Sequence, residues 1–377
     1  MHKAEEKTSI RQRRLVSATD AENVAITGSG QISGQSPNWF IPWYNAGSND
    51  TASLERPAYS FIFRNCRRVR VEGIRLLNST SWSLVLYRCH QVQIRGIELR
   101  NMDILNGDGI DIVDSSDVHI SDSNLHMADD GIVMKSHSPD HAVRNITVTN
   151  CIIRTLCNGI KIGTETVGTF EDITCSNLVI QNQSDDVAGA GRGAWSGINL
   201  NALDGGLVRN VNICNVVMRN VESAFFLLVG CRNPLQQPFR PPRAGRMERI
   251  SISNIRADGC RYTAYAAGCP ESPIRHLHIS NIHVHKTADF YAERPSSSVK
   301  DLPDRYPHPY RFGSRQAGDQ LPAHGLYLRH VSRSTVRDFE IETNQADARE
   351  AFFGEHCSAI DSSGLRANGE SVPLREA

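Results

Sequence analysis

Short runs of alternating apolar and polar residues recur along most of the chain. Their lead residues are Val69, Val92, Val118, Ile146, Ile173, Val211, Ile250 and Leu277. Alternation with a period of two predicts strands that bury one face. Asn and Gly separate the runs, no helical periodicity intervenes, and successive runs start 23 to 39 residues apart. Strands repeated at such a period predict an all-β solenoid, a single right-handed parallel β-helix of about ten turns.

The repeated unit favours a solenoid over an all-β sandwich, because the turns of a sandwich would not repeat one strand motif at nearly fixed spacing. An Asn recurs where the chain would change direction, at positions 150, 177, 215, 254 and 281. Asn tolerates the left-handed conformation of turns, so we expect these residues at the corners of the coil. We also expect four residues to stack inside it on successive turns: Ile110, Ile132, Ile160 and Ile198.

Breaks in the repeat divide the chain into three segments. Residues 1–20 are expected to be an N-terminal segment and an incomplete or minimal cap, residues 21–365 the β-helix catalytic domain, and residues 366–377 a C-terminal tail. Longer intervals predict insertions at 184–191 and 234–242, and a long excursion is expected from about 285 to 325. Such loops often line the binding face of a solenoid.

Composition narrows the classes of function. The 41 basic and 41 acidic residues balance, so no general attraction to nucleic acid or to an anionic membrane is expected. No apolar stretch approaches the ~20 residues of a membrane span. The N-terminus as given lacks the apolar core of a signal peptide, which leaves the compartment open. The ten cysteines include no C-x-x-C pair and are interpreted as structural thiols, with disulfides or a zinc site as alternatives.

Two acidic clusters lie 21 residues apart, close to one repeat. The first contains Asp108 and Asp111, and the second contains Asp129 and Asp130. If the repeat is one turn of a solenoid, neighbouring turns bring Asp108, Asp129 and Asp130 together on one outward face. Asp also favours turns for structural reasons alone. Three aligned carboxyl groups nevertheless favour catalysis, because a glycosidic bond is cleaved by one carboxyl acting as acid and another as base.

The phrases around these clusters resemble glycoside hydrolase family 28, the polygalacturonase-type pectin hydrolases. The resemblance runs from about Leu15 to about Leu365, and its carriers are the segments 26–34, 78–84, 106–111, 129–132 and 158–165. It implies that Asp129 is the proton donor, that Asp108 and Asp130 activate water, and that cleavage inverts the anomeric configuration. The expected partner is a pectic poly- or oligosaccharide, bound by a monomer that needs no cofactor or metal.

Two departures from the family's pattern bear on the substrate. Where the family usually has Gly-His-Gly, this chain has Cys157-Asn158-Gly159, and where the family has Arg-x-Lys it has Asn199 and Asn201. Asparagine hydrogen-bonds a sugar hydroxyl but does not pair with a carboxylate. Either Lys161 or Lys135 relocates the missing cation, or the substrate is less acidic than polygalacturonate. The expected substrate-binding residues are Asn106, Asp111, Asn158, Lys161, Asn199 and Asn201.

Two other classes of function remain open at this stage. A pectate-lyase-type enzyme would use the acidic cluster to bind Ca²⁺ and an arginine as base. No arginine stands in the aligned outward positions 111, 133, 161 and 199. A non-catalytic carbohydrate-binding β-helix is the third class, because the histidine, arginine and lysine positions of the family are altered. New reducing ends from a pectic substrate would favour the hydrolase over both.

Overall fold

The computed structural model of the chain describes residues 14–35, 59–102, 104, 106–182, 194–231, 243–287 and 321–377. Within these ranges it contains thirty strands and no helix, and hence no helix that could cross a membrane. The predicted insertions at 184–191 and 234–242, and most of the excursion from 285 to 325, lie outside the described residues.

The strands are numbered in chain order. The first ten are β1 (Val16–Thr19), β2 (Glu22–Thr27), β3 (Gln31–Ser33), β4 (Phe61–Arg64), β5 (Arg67–Glu72), β6 (Arg75–Leu77), β7 (Leu84–Tyr87), β8 (His90–Arg95), β9 (Glu98–Asn101) and β10 (Ile110–Val113). The next ten are β11 (Ser116–Ser121), β12 (Asn124–Met127), β13 (Ile132–Ser136), β14 (Val143–Thr149), β15 (Ile152–Thr155), β16 (Asn158–Thr166), β17 (Thr169–Asn182), β18 (Ala194–Ala202), β19 (Leu207–Arg219) and β20 (Val221–Val229). The last ten are β21 (Arg246–Cys260), β22 (Ala264–Ala267), β23 (Ile274–Lys286), β24 (Ala323–Arg329), β25 (Val331–Thr343), β26 (Glu350–Glu355), β27 (Ser358–Ser363), β28 (Arg366–Ala367), β29 (Glu370–Ser371) and β30 (Arg375–Glu376).

These strands form two long sheets, and a turn of the coil adds one strand to sheet A and one or two strands to sheet B. Sheet A holds 12 strands in the order β1-β4-β7-β10-β13-β16-β18-β20-β22-β24-β26-β30, and sheet B holds 18. Every pairing is parallel except that of β28 with β29. The predicted all-β parallel β-helix is therefore confirmed. The expected count of about ten turns is not, since sheet A alone has twelve strands.

The core is a set of apolar columns that run through the coil. Ile110 lies opposite Ile132, Ile132 opposite Ile160, and Ile160 opposite Ile198, as predicted, and none of the four is accessible to solvent. Because adjacent strands lie about 4.8 Å apart, each isoleucine packs on the equivalent residue of the next turn. This stacking fixes the register, and a slip by one residue would turn the column outward.

The predicted corner asparagines are confirmed. Asn150, Asn177, Asn215, Asn254 and Asn281 all have φ between 52° and 56°. Each side chain after the first donates a hydrogen bond to the one before it, at N–O distances from 2.8 to 3.4 Å. The amide that tolerates the left-handed conformation thus also links neighbouring turns.

Paired strands extend beyond both predicted boundaries of the β-helix. Strand β1 lies in sheet A, so paired strands start before residue 21. Residues 366–377, expected as a tail, contribute β28 to β30, and β30 extends sheet A beside β26.

None of the ten cysteines forms a disulfide, and eight of them are buried. The cysteines therefore act as small apolar residues of the coil, as the sequence indicates.

A column of glycines precedes the isoleucine column. Gly109, Gly131, Gly159 and Gly197 each stand directly before one of the stacked isoleucines. A Cβ on Gly131 would lie 2.5 Å from Ile153 Cγ2 and 2.7 Å from the carbonyl oxygen of Gly159. Glycine is therefore required here because the next turn approaches its backbone closely.

We expect Gly131→Ala to destabilise the coil by about 1–3 kcal/mol, the usual cost of inserting a methyl group into a packed interior. Thermal unfolding followed by circular dichroism measures the change. Gly30→Ala is the matched control, because a Cβ on Gly30 meets no atom within 4 Å. Equal melting temperatures for the two variants would contradict the close packing of the glycine column.

Candidate active site

The register of β10, β13 and β16 brings the two acidic clusters together on sheet A. Because Ile110 pairs with Ile132, Asp108 stands level with Asp130, and Asp129 lies one residue before that row. The amide of Gly109 donates to the carbonyl of Asp130 at 2.9 Å, which holds the two loops in line. The predicted convergence of Asp108 and Asp130 on neighbouring turns is confirmed by this register.

The outward row of sheet A carries the other polar candidates. Asp111 pairs with Val133, Val133 with Lys161, and Lys161 with Asn199. These residues alternate with the buried isoleucines, so they face away from the core, as predicted. Their side chains are nonetheless largely shielded: Lys161 is 8% exposed, and Asp111 and Asn199 are fully buried. Such shielding raises the cost of unpaired charge and makes each ion pair in the site significant.

Lys135, at the end of the core run of β13, holds Asp108 and Asp111. Its Nζ lies 3.3 Å from Asp108 Oδ2 and 3.5 Å from Asp111 Oδ1. Nζ also lies 4.5 Å from the ring centroid of Trp82, a cation–π contact. Burial and the charge of Asp111 raise the pKa of Asp108 well above its usual range, while Lys135 opposes them. Burial raises the pKa of Asp111 to about 8, again against Lys135.

Asp130 is held by two donors from β16. Lys161 Nζ lies 2.7 Å from Oδ2, and Asn158 Nδ2 donates to Oδ1 at 2.6 Å. Burial acts to raise the pKa of Asp130, but the charges of Lys161 and Lys135 and these hydrogen bonds outweigh it, so the pKa is lowered. Asp130 is thus the ionised carboxylate of the site.

Asp129 has a different environment from its neighbour. Asn106 Nδ2 is 3.5 Å from its Oδ2, the amide of Asp130 donates to its Oδ1 at 3.0 Å, and the Cys157 thiol lies within 4.8 Å of its carboxylate. Burial and the adjacent charge of Asp130 raise the pKa of Asp129, and Lys161 only partly opposes them. A carboxyl with a raised pKa beside one with a lowered pKa is the arrangement that acid–base catalysis requires.

Three of the four predicted asparagines form one hydrogen-bonded chain. Asn199 Nδ2 donates to Asn158 Oδ1 at 2.9 Å, and Asn201 Nδ2 donates to Asn199 Oδ1 at 2.8 Å. Because the oxygen of Asn158 is occupied by Asn199, its amide nitrogen faces Asp130. The sequence predicted these residues as sugar ligands, and the structure also places them in support of Asp130.

Sequence reasoning missed Cys157 as a partner of Asp129 and did not include Lys135 among the site residues. A signal for the alignment was present: a polar residue followed by Gly-Ile recurs with Asp108, Asp130, Asn158 and Ser196 as the polar member. That pattern places these four residues in one column.

Two groups of donors among the described residues are close enough to hold a metal ion. One consists of Asp129, Asp130 and Cys157, and the other of His283, Glu340 and Glu342, with donor atoms within 4.8 Å of one another in each group. In the first group the Lys161 ammonium already pairs with Asp130. The absence of a metal requirement stays a prediction.

The fold and these clustered carboxyl groups define a parallel β-helix with an acidic site on the outward face of one sheet. A family model described as glycosyl hydrolases family 28 matches residues 1–284. The chain belongs to this family, as the sequence phrases indicated.

Similar proteins agree with this assignment. A probable polygalacturonase of Vitis vinifera is 24% identical over 295 residues, which cover 74% of this chain and 56% of the relative. An endo-polygalacturonase of Pectobacterium carotovorum subsp. carotovorum is 24% identical over 214 residues, covering 55% of this chain and 50% of the relative. The chain thus spans about half the length of these curated relatives.

A solved structure shows the same fold over nearly the whole chain. The family 28 exopolygalacturonase of Yersinia enterocolitica superposes with a TM-score of 0.65 at 16% identity, covering 93% of this chain and 61% of that one. At this identity the likeness concerns the fold alone.

Proposed function

We propose that this chain is a glycoside hydrolase that cleaves pectic poly- or oligosaccharides by an inverting acid–base mechanism. The observation that carries the proposal is the contrast between two adjacent aspartates. Asp130 accepts from an ammonium and an amide, while Asp129 is half-buried, with the neutral thiol of Cys157 within 4.8 Å. Opposite pKa shifts in one site suit the acid and the base that hydrolysis of a glycosidic bond needs.

Each of the three aspartates has its own part in the proposed reaction. Asp129 gives its proton to the glycosidic oxygen as the bond to the anomeric carbon breaks. Asp130, the ionised carboxylate, takes a proton from the water that attacks the opposite face of the sugar. Asp108, held by Lys135, orients that water from the neighbouring turn. One displacement of this kind inverts the anomeric configuration. The two carboxyls of an inverting pair usually stand about 6.5–9.5 Å apart, whereas carboxylate oxygens of Asp129 and Asp130 lie within 4.8 Å of each other.

The substrate is proposed to contain a sugar without a carboxylate beside Asn199 and Asn201. Both lysines of the described site already face aspartates, Lys135 near Asp108 and Asp111 and Lys161 on Asp130. Among the described residues, a uronate carboxylate placed there would find no further lysine, and burying it without a cation of its own is costly. The earlier expectation that Lys161 contacts a substrate carboxylate stays a prediction, and an experiment below separates it from a supporting role.

The test of the hydrolase proposal is a panel of pectic oligosaccharides assayed for new reducing ends. Proton NMR of the first product should show the anomeric configuration opposite to that of the cleaved bond. Ultraviolet absorbance from a new C=C bond, with a rate lost on adding a chelator, would establish the lyase instead. Binding of the same oligosaccharides without any bond cleavage would establish a carbohydrate-binding protein.

We expect turnover of a mixed pectic fragment, such as a rhamnogalacturonan oligosaccharide, to exceed that of unbranched polygalacturonate. The expected difference in kcat/KM is at least about tenfold, or about 1.4 kcal/mol, because the buried lysines are already paired. Initial rates on matched molar concentrations of chain ends measure it. Faster turnover of polygalacturonate would show that the site does supply a cation to a uronate.

A further inference from the structure

One short segment of the coil, residues 157–161, contacts the two adjacent aspartates differently. Lys161 and Asn158 both reach Asp130, at 2.7 and 2.6 Å from its two oxygens. Near Asp129 this segment places the thiol of Cys157, with Sγ within 4.8 Å of the carboxylate. Within five residues of sequence, the segment therefore gives Asp130 a charged partner and places a neutral group beside Asp129.

The amide that faces Asp130 is fixed from behind. Asn158 accepts from Asn199 at 2.9 Å, and Asn199 accepts from Asn201 at 2.8 Å, with all three side chains buried. An asparagine whose oxygen is occupied presents its nitrogen to its other neighbour. This chain of hydrogen bonds therefore holds the Asn158 amide as a donor to Asp130 Oδ1, independently of any substrate.

The other charged groups near Asp130 do not duplicate Lys161. The titratable groups that interact with Asp130, or with the neighbouring lysines and aspartates, are Lys135, Asp108, Asp111, Asp129, Cys157 and Glu165. Lys135 lies 3.3 and 3.5 Å from Asp108 and Asp111 and forms its ion pairs with them. The ion pair at 2.7 Å gives Asp130 a counterion of its own in Lys161.

We propose that Lys161 is a positioning residue that keeps Asp130 ionised and oriented as the base of the reaction, rather than a ligand of a substrate carboxylate. This inference rests on the proposed hydrolase function. It gives the residues at 157–161, which depart from the family's pattern, a shared role. From one turn of the coil they surround two consecutive residues differently, so that Asp129 suits the acid and Asp130 the base.

The pKa directions agree with this geometry. Lys161 lowers the pKa of Asp130 against the effect of burial, and Asp130 in turn raises the pKa of Lys161, which stays protonated. Removing the ammonium leaves burial unopposed by its nearest charge, so the pKa of Asp130 rises. The base is then lost at a higher pH than in the native protein, and the acidic side of the rate profile moves upward.

The experiment compares Lys161→Met, Lys161→Arg and the native protein on the best substrate of the panel, with kcat and KM measured from pH 3 to 9. In Lys161→Met we expect kcat to fall at least about tenfold near pH 5, and the acidic limb to move upward by about one to three pH units. Lys161→Arg, which keeps the charge, should restore most of both. KM should change little, on neutral and uronate-containing substrates alike.

The control variant is Lys286→Met, which removes another buried lysine. Lys286 lies on β23 and donates to the carbonyl of His324 at 2.8 Å, so its loss should leave the pH profile unchanged. A rise in KM confined to uronate substrates, with kcat and the acidic limb retained in Lys161→Met, would overturn the inference in favour of a substrate ligand. Failure of the native protein to cleave any substrate would instead refute the hydrolase proposal itself.

Discussion

Asp129→Asn is expected to lower kcat by at least about 10²-fold on a natural pectic substrate, the usual loss when a general acid is removed. The amide keeps the shape of the side chain but has no acidic proton to transfer to the departing oxygen. The basic side of the pH profile, which in the native protein reflects the raised pKa of Asp129, should disappear in this variant. Rates of reducing-end formation from pH 3 to 9 measure both effects.

Two comparisons make this result specific to acid catalysis. An aryl glycoside with a good leaving group needs little protonation, so its hydrolysis should fall much less in Asp129→Asn. Asp140→Asn changes an exposed aspartate between β13 and β14 and serves as the control, with native rates expected. A near-native rate of Asp129→Asn on the natural substrate would show that another group is the acid.

Most of the coil was predictable because one interaction is repeated. Alternating residues such as Val92 and Ile94 specify which side of each strand is buried, and near-constant spacing specifies that strands of successive turns pair. The stack from Ile110 to Ile198 and the corner asparagines follow from those two facts. Register fixed in this way also brings Asp108 and Asp130 level, so the existence of the acidic site was predictable too.

The partners within the site were not predictable from the pattern. Period-two alternation tells that Lys161 faces outward, but not whether its ammonium reaches a substrate or a neighbouring turn. That choice depends on side-chain reach across one strand spacing and on the burial of Asp130. The contact between Cys157 and Asp129 likewise depends on how the turn before β16 bends. Alternation carries no information about such turns.

The charges of the site account for its protonation states together. Four carboxyl groups, those of Asp108, Asp111, Asp129 and Asp130, share the space with two lysine ammonium groups. The pKa values of Asp108, Asp111 and Asp129 are all raised, that of Asp111 to about 8, while the pKa of Asp130 is lowered, so Asp130 is the first carboxyl of the cluster to ionise.

Asp130→Asn should both inactivate and destabilise the protein. Loss of the base is expected to lower kcat by about 10²–10⁴-fold. The same change leaves the buried ammonium of Lys161 without its counterion, and breaking a buried pair on one side costs about 3–5 kcal/mol. We therefore expect a melting temperature lower by about 5 °C or more, measured by calorimetry at pH 7.

The double variant Asp130→Asn/Lys161→Met separates these two effects. Removing both charges relieves the uncompensated ammonium, so the melting temperature should return towards the native value, because a buried ion pair contributes little compared with its apolar replacement. Activity should not return, since no carboxylate is left to take the proton from water. A double variant as unstable as Asp130→Asn would contradict the pairing of Lys161 with Asp130, and recovery of activity would show that the base is a different residue.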